Sequence, residues 1–209
     1  MKTQAQRSTL FNGWPLLGLI SALLLAMAAA LLAAMPGVDG IRMLIRATAR
    51  TSLMLFLAAY IASAAWTLAP SSATRWLRAN RRQLGLSFAV SHFIHAGAIY
   101  ALSQADPALF AQLVMPATFV TGGLAYVFIL LMSATSFDAT AAWLGRRNWR
   151  VLHTAGLWYL WLSFVFTLGK RVMHGPFYVV ALITVFGALG LRIAAWRKAR
   201  GNGGAPAKS

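Results

Sequence analysis

Six apolar stretches, each close to the length that crosses a lipid bilayer, constrain this chain more than any motif it carries. They are Trp14–Met35, Thr51–Leu68, Leu84–Leu102, Val114–Met132, Val151–Leu168 and Phe177–Ala195. A helix rises about 1.5 Å per residue, so roughly 20 apolar residues span a hydrocarbon core of about 30 Å. Hydrophobic residues make up 59% of the 209 positions and charged residues only 11%, which leaves too little polar surface for a water-soluble domain of this length. The blocks are rich in Leu and Ala and lack the in–out alternation of a barrel strand. Backbone groups inside lipid must be satisfied within their own segment, so the blocks are expected to be helices. The fold class that follows is an all-α integral membrane protein, a bundle of six transmembrane helices.

The first block follows the polar start "MKTQAQRSTLFNG" and outruns the apolar core of a secretory signal, with no convincing small-residue cleavage site before Pro36. It is expected to be a retained helix. Residues 1–13 then form an amino-terminal segment, 14–196 the six-helix domain and 197–209 a flexible basic tail ending in "GNGGAPAKS". Basic residues set the orientation. With the amino terminus inside, fourteen of the 19 Lys and Arg fall on the inner side and five, Arg42, Arg46, Arg50, Lys170 and Arg171, on the outer. That asymmetry places both termini in the cytoplasm, as expected of a bacterial cytoplasmic (inner) membrane protein. The spacing of Arg42, Arg46 and Arg50 gives one stripe on a helix leading into the second span, where the side chains can snorkel to lipid phosphate or meet a carboxylate.

A net charge of +16 suggests a nucleic-acid partner until the bases are located: they lie between and after the apolar blocks, where membrane lipid supplies the counter-charge. No nucleic-acid partner is expected. The absence of cysteine excludes thiolate-ligated heme, iron–sulfur clusters and Cys-type zinc sites. No strand pattern and no Gly-rich phosphate loop offers a flavin or nicotinamide site. Asp39, Asp106 and Asp138, the only acids, fall outside the six blocks, which disfavours a proton-coupled or cation-coupled transporter. Small-xxx-small spacings such as Ala59 to Ser63 and Ser87 to Ser91 indicate close helix packing.

What chemistry the spans hold therefore rests on histidine. His92 and His95 lie in the third span, His153 just inside the fifth, and His174 outside before the sixth. Neutral imidazole ligates heme iron, and a bundle of membrane helices can hold the macrocycle between facing helices. The plainer reading of an isolated intramembrane histidine is a hydrogen bond to a Ser, a Thr or a backbone carbonyl.

The run "RRQLGLSFAVSHFIH" at Arg81–His95, "TARTS" at Thr48–Ser52, Thr135–Ser136, and "LGRRNWRVLH" ending at His153 resemble, in order and spacing, ferric reductase-like transmembrane domains. Within that superfamily they look most like the heme-binding membrane subunits of bacterial methionine sulfoxide reductase systems. The resemblance runs from about Arg42 to Phe166. It implies a b-type heme protein that relays electrons across the membrane from a cytoplasmic flavin reductase to a periplasmic oxidoreductase. Carried over by position, His95 and His153 are the axial ligands of one heme b. Arg50 and Arg82 join His92 as further candidate cofactor contacts, the arginines for heme propionates.

The chain departs from that pattern at Phe166, thirteen residues after His153, where the family carries a second fifth-helix histidine. Ligands of one iron must share one depth. Counted from the flanking arginines, His95 lies about 20 Å in and Phe166 about 24 Å, but His153 only about 5 Å. Helix tilt recovers part of the difference. Three repairs stand open: His92 in place of His95, His174 folding back to meet His95, or a five-coordinate iron beside Phe166, Ser163 and Tyr159.

The aromatic cluster Trp143, Trp149, Trp158, Tyr159 and Trp161 fits interfacial anchoring for Trp143 and Trp149 and leaves the deeper Tyr159 and Trp161 open to either packing or a cofactor. Arg78, Arg81, Arg82, Arg146, Arg147 and Arg150 satisfy the positive-inside pattern and also suit an acidic flavoprotein or heme propionates. Two function classes follow: a heme-bearing electron relay without a flavin domain of its own, or a heme-free scaffold or assembly subunit of the same fold.

Overall fold

The computed structural model describes residues 9–114 and 116–203. Within them the chain is a succession of helices: α1 (Gly13–Ala34), α2 (Val38–Leu68), α3 (Ser72–Ala79), α4 (Arg81–Ala105), α5 (Pro107–Leu113), α6 (Pro116–Ala134), α7 (Asp138–Leu144), α8 (Arg146–Gly169) and α9 (Pro176–Gly203). Short 3-10 turns occupy Thr9–Phe11 and Val172–His174, and the described residues include no strand. Six of the helices, α1, α2, α4, α6, α8 and α9, are long and apolar enough to cross a membrane. Large apolar side chains such as Leu23, Val120, Val180 and Ile183 stay exposed on them, the surface that a lipid-embedded helix presents. The protein is a multi-pass helical membrane protein that associates with lipid.

The helix boundaries differ from those of the apolar blocks, and the helix expected to carry Arg42, Arg46 and Arg50 is continuous with the second span. α2 begins at Val38 and not at Thr51, so Asp39, Arg42, Arg46 and Arg50 belong to the same continuous helix as the apolar span. Asp39 sits in its first turn, where a carboxylate complements the helix dipole, and lies 3.6 Å from Arg42. Gly37, at a φ of 77°, turns the chain from α1 into α2. Gly40 then passes so close to α1 that a β-carbon there would overlap the Met35 carbonyl. Val114, expected to open the fourth span, is instead the C-cap of α5, a short helix that Pro107 starts and the Asp106 carboxylate caps by accepting from Leu109 N–H. α9 continues past Ala195 to Gly203, so Arg197, Lys198 and Arg200 are helical; Lys2, Arg7 and Lys208 lie outside the described residues.

The described chain groups into two compact units. One comprises Met1–Phe56 with Arg82–Phe119 and the other Leu57–Arg81 with Val120–Ser209, each within its described residues. In the first, α2 and α4 meet over Leu44, Thr48, Ser52, Ser87, Ser91 and Ala98, all buried. Small side chains at this seam let the backbones approach and let hydroxyls bond across, the ordinary basis of helix association in lipid. In the second unit, Gly156 of α8 admits the side chains of Met132 and Phe128 of α6. On its other side α8 packs against α9 through Trp161, whose indole donates to the Val185 carbonyl at 3.1 Å and meets Phe186 edge-on.

Candidate functional site

The first unit holds a buried polar seam that ends on His95. Thr48 sends its hydroxyl proton to the Leu44 carbonyl one turn back, 2.6 Å away, and its oxygen lies 3.0 Å from His95 Nδ1. His95 Nδ1 also lies 3.1 Å from the Ile45 carbonyl oxygen. A carbonyl can only accept, so the neutral ring carries its proton on Nδ1 and its lone pair on Nε2. An N–H···O=C bond of this kind fixes the tautomer and plane of metal-binding histidines and raises the basicity of the ligating nitrogen. One turn away the seam continues: Ser52 donates to Ser91 at 2.9 Å, Thr51 lies 2.9 Å from the same oxygen, and Ser91 donates to the Thr48 carbonyl at 3.3 Å. Thr48, Ser52 and Ser91 are fully buried, so this ladder locks the register of α2 against α4 and with it the position of His95.

His92 belongs to the same face. Its ring stacks against His95 at 5.4 Å between centroids, and Phe88 and Phe56 extend the row. The two histidines are therefore neighbours along one aromatic column, and His92 is placed to support His95 by packing.

His153 is held in the opposite sense, in the second unit. Its Nε2 lies 3.0 Å from the Thr135 hydroxyl, which itself donates to Leu131 O at 2.7 Å. With that proton spent, Thr135 accepts from His153 Nε2–H, and the imidazole lone pair falls on Nδ1. Trp149 completes the clasp: its indole donates to the Thr135 carbonyl at 2.9 Å, and its ring stacks on His153 with centroids 4.1 Å apart. Thr135 thus ties the end of α6 to the start of α8 through two aromatic donors.

The remaining sequence candidates are scattered. Phe166 points outward, 61% exposed, and His174 is exposed in the 3-10 turn before α9. Arg50 lies on α2 and Arg82 in the first turn of α4, both exposed. His92, His95, Arg50 and Arg82 fall in one unit and His153, Phe166 and His174 in the other. Among the described residues no group of three or more His, Asp or Glu gathers as a metal centre would require, although an axial heme ligand needs no such group. The two deep aromatics left open by the sequence serve packing: Trp161 bonds α9, and Tyr159 donates to Thr121 O at 2.8 Å with its ring against Phe128. Of the pair read as interfacial, Trp143 is exposed, whereas Trp149 is the structural clasp just described.

No known protein family, curated protein or solved structure matches this chain.

What the sequence reading missed is the second layer around the histidines. Thr48, Thr51, Ser52 and Thr135 stood in the quoted motifs, yet their hydroxyl contacts carried no separate signal. The spacing of four between Thr48 and Ser52 and between Ser87 and Ser91 was the available cue, since it puts each pair on one helical face.

Proposed function

We propose that this protein is a b-type heme protein of the bacterial cytoplasmic membrane, with both termini in the cytoplasm, relaying electrons from a cytoplasmic flavin reductase to a periplasmic oxidoreductase. The observation that carries the reading is the state of His95. Its Nδ1 proton is committed to the Ile45 carbonyl and Thr48, which orients an Nε2 lone pair as an axial ligand requires. A bound heme would supply reversible one-electron chemistry at its iron. The chain's own part would be to present His95, hold its ring with Thr48 and the Ile45 carbonyl, pack it against His92, and offer Arg50 or Arg82 to the propionates. His153, in the other unit, is engaged with the Thr135 hydroxyl through Nε2.

That engagement of His153, together with Phe166 at the position where the resembled family carries histidine, favours a second reading as a heme-free scaffold or assembly subunit. Difference spectra of membranes separate the two. The relay gives a sharp α band on reduction with dithionite in membranes that overproduce the protein. Membranes indistinguishable from those lacking the protein, despite ample heme supply, leave the scaffold.

A further inference from the structure

Four cations converge on the last turns of α2 in the second unit. Arg192 of α9 donates to the Tyr60 carbonyl at 2.9 Å and lies 4.4 Å over the Tyr60 ring. One turn on, Arg81 donates to the Ser63 hydroxyl at 3.2 Å. Arg75 sits 5.5 Å over the Trp66 ring, and Lys198 donates to the Leu68 carbonyl at 3.3 Å. Lys198 is explained by the negative end of the helix dipole. The two arginines further in are not. Arg81 and Arg192 lie close enough for their charges to repel, with Arg78 adding to the repulsion, and no described carboxylate lies within ion-pair distance of either. Arg81 also stands at the positive end of the α4 dipole, in a first turn without an acid. Each guanidinium spends one N–H on its anchor, so most of its donors remain for a ligand.

We propose that Arg81 and Arg192 form a binding site for a phosphate group, supplied by the headgroup of an anionic phospholipid. The guanidinium fork matches phosphate oxygens in pairs, and the anchors on Tyr60 and Ser63 hold both forks in place before the ligand arrives. Lipid is the source because the site lies on the last turns of membrane helix α2, whose final carbonyl accepts from Lys198 of α9 and which runs into the exposed residues 69–71, the level at which headgroups lie. The ligand neutralises the repelling pair and ties α2, α4 and α9 together at this end.

The test uses the purified full chain, stripped of lipid in detergent, and follows its thermal midpoint while phosphatidylglycerol, phosphatidylcholine or inorganic phosphate is added. Phosphatidylglycerol should raise the midpoint at concentrations where the other two do not. Arg81→Gln and Arg192→Gln should each weaken that response about fivefold. An Arg146→Gln, Arg147→Gln double variant, which removes basic charge elsewhere, should leave it intact. Arg81 is exposed, so Arg81→Gln retains the fold and reads the site even where Arg192→Gln does not. Equal responses to phosphatidylcholine and phosphatidylglycerol overturn the proposal, as does a loss in the Arg146, Arg147 variant matching that of Arg81→Gln. A response to inorganic phosphate equal to that for phosphatidylglycerol assigns the site to a free anion and overturns the lipid source.

Discussion

The imidazole of His95 donates its Nδ1 proton to the backbone carbonyl of Ile45, 3.1 Å away on a different helix. A side chain on α4 is thereby held by the main chain of α2, and no substitution at Ile45 removes the acceptor. The arrangement fixes which nitrogen of His95 can meet a metal, and it depends on the register that the hydroxyl ladder between the two helices maintains.

Replacing Thr48 by Val removes the second acceptor at Nδ1 while keeping the volume. The ring keeps its tautomer through Ile45 but gains freedom to rotate. Loss of such a supporting contact lowers metal-site affinity by about 10-fold or more. Heme titration of the purified Thr48→Val protein should show weaker binding of that order, and unchanged binding would deny Thr48 a role in holding His95.

Ser91→Ala removes the acceptor of the buried Ser52 hydroxyl, which should cost about 1 kcal/mol in detergent unfolding. Because the cost is chiefly that of stranding Ser52, the Ser52→Ala, Ser91→Ala double variant should be less destabilised than the sum of the two single variants. Strict additivity would show that the ladder carries no coupled energy.

Gly40→Ala places a methyl group against the Met35 carbonyl and forces the α1–α2 turn to open. A loss of about 1–3 kcal/mol is expected, the usual cost of overpacking. Gly18→Ala, at a helix position with nothing near the added methyl, should be neutral or stabilising by up to about 1 kcal/mol. Similar midpoints for the two variants would contradict the close approach.

The six crossing helices were legible because lipid demands unbroken apolar length, and that length is written in the sequence. The start of α2 was legible in part: the four-residue spacing of Arg42, Arg46 and Arg50 gave a helix leading into the second span, whereas nothing in the hydropathy joined Val38 and Asp39 to it. At the site, the histidines could be found by their cost in an apolar segment. Their partners could not. Ile45 serves through its carbonyl, which every residue carries, and Thr135 meets His153 only because α7 returns the chain from α6 to α8 in few residues. Trp161 was ambiguous for a similar reason: its indole bonds a carbonyl of α9 that no spacing rule identifies.

The proposed orientation, with both termini in the cytoplasm, is one that a fusion experiment reads directly. A fluorescent reporter at the carboxyl terminus should fold and fluoresce, whereas alkaline phosphatase there should be inactive. The reverse pattern would place the Arg81–Arg192 cluster on the outer face and contradict the proposed direction of electron flow.

The most direct test of the central claim is the heme content and visible spectrum of the purified protein beside its His95→Ala variant, both produced with ample heme. The wild-type protein should carry stoichiometric heme with a sharp Soret band and resolved α and β bands on reduction, and His95→Ala should lose the heme or change those bands. A wild-type protein without heme, or a variant whose heme content and spectrum are unaltered, would contradict it.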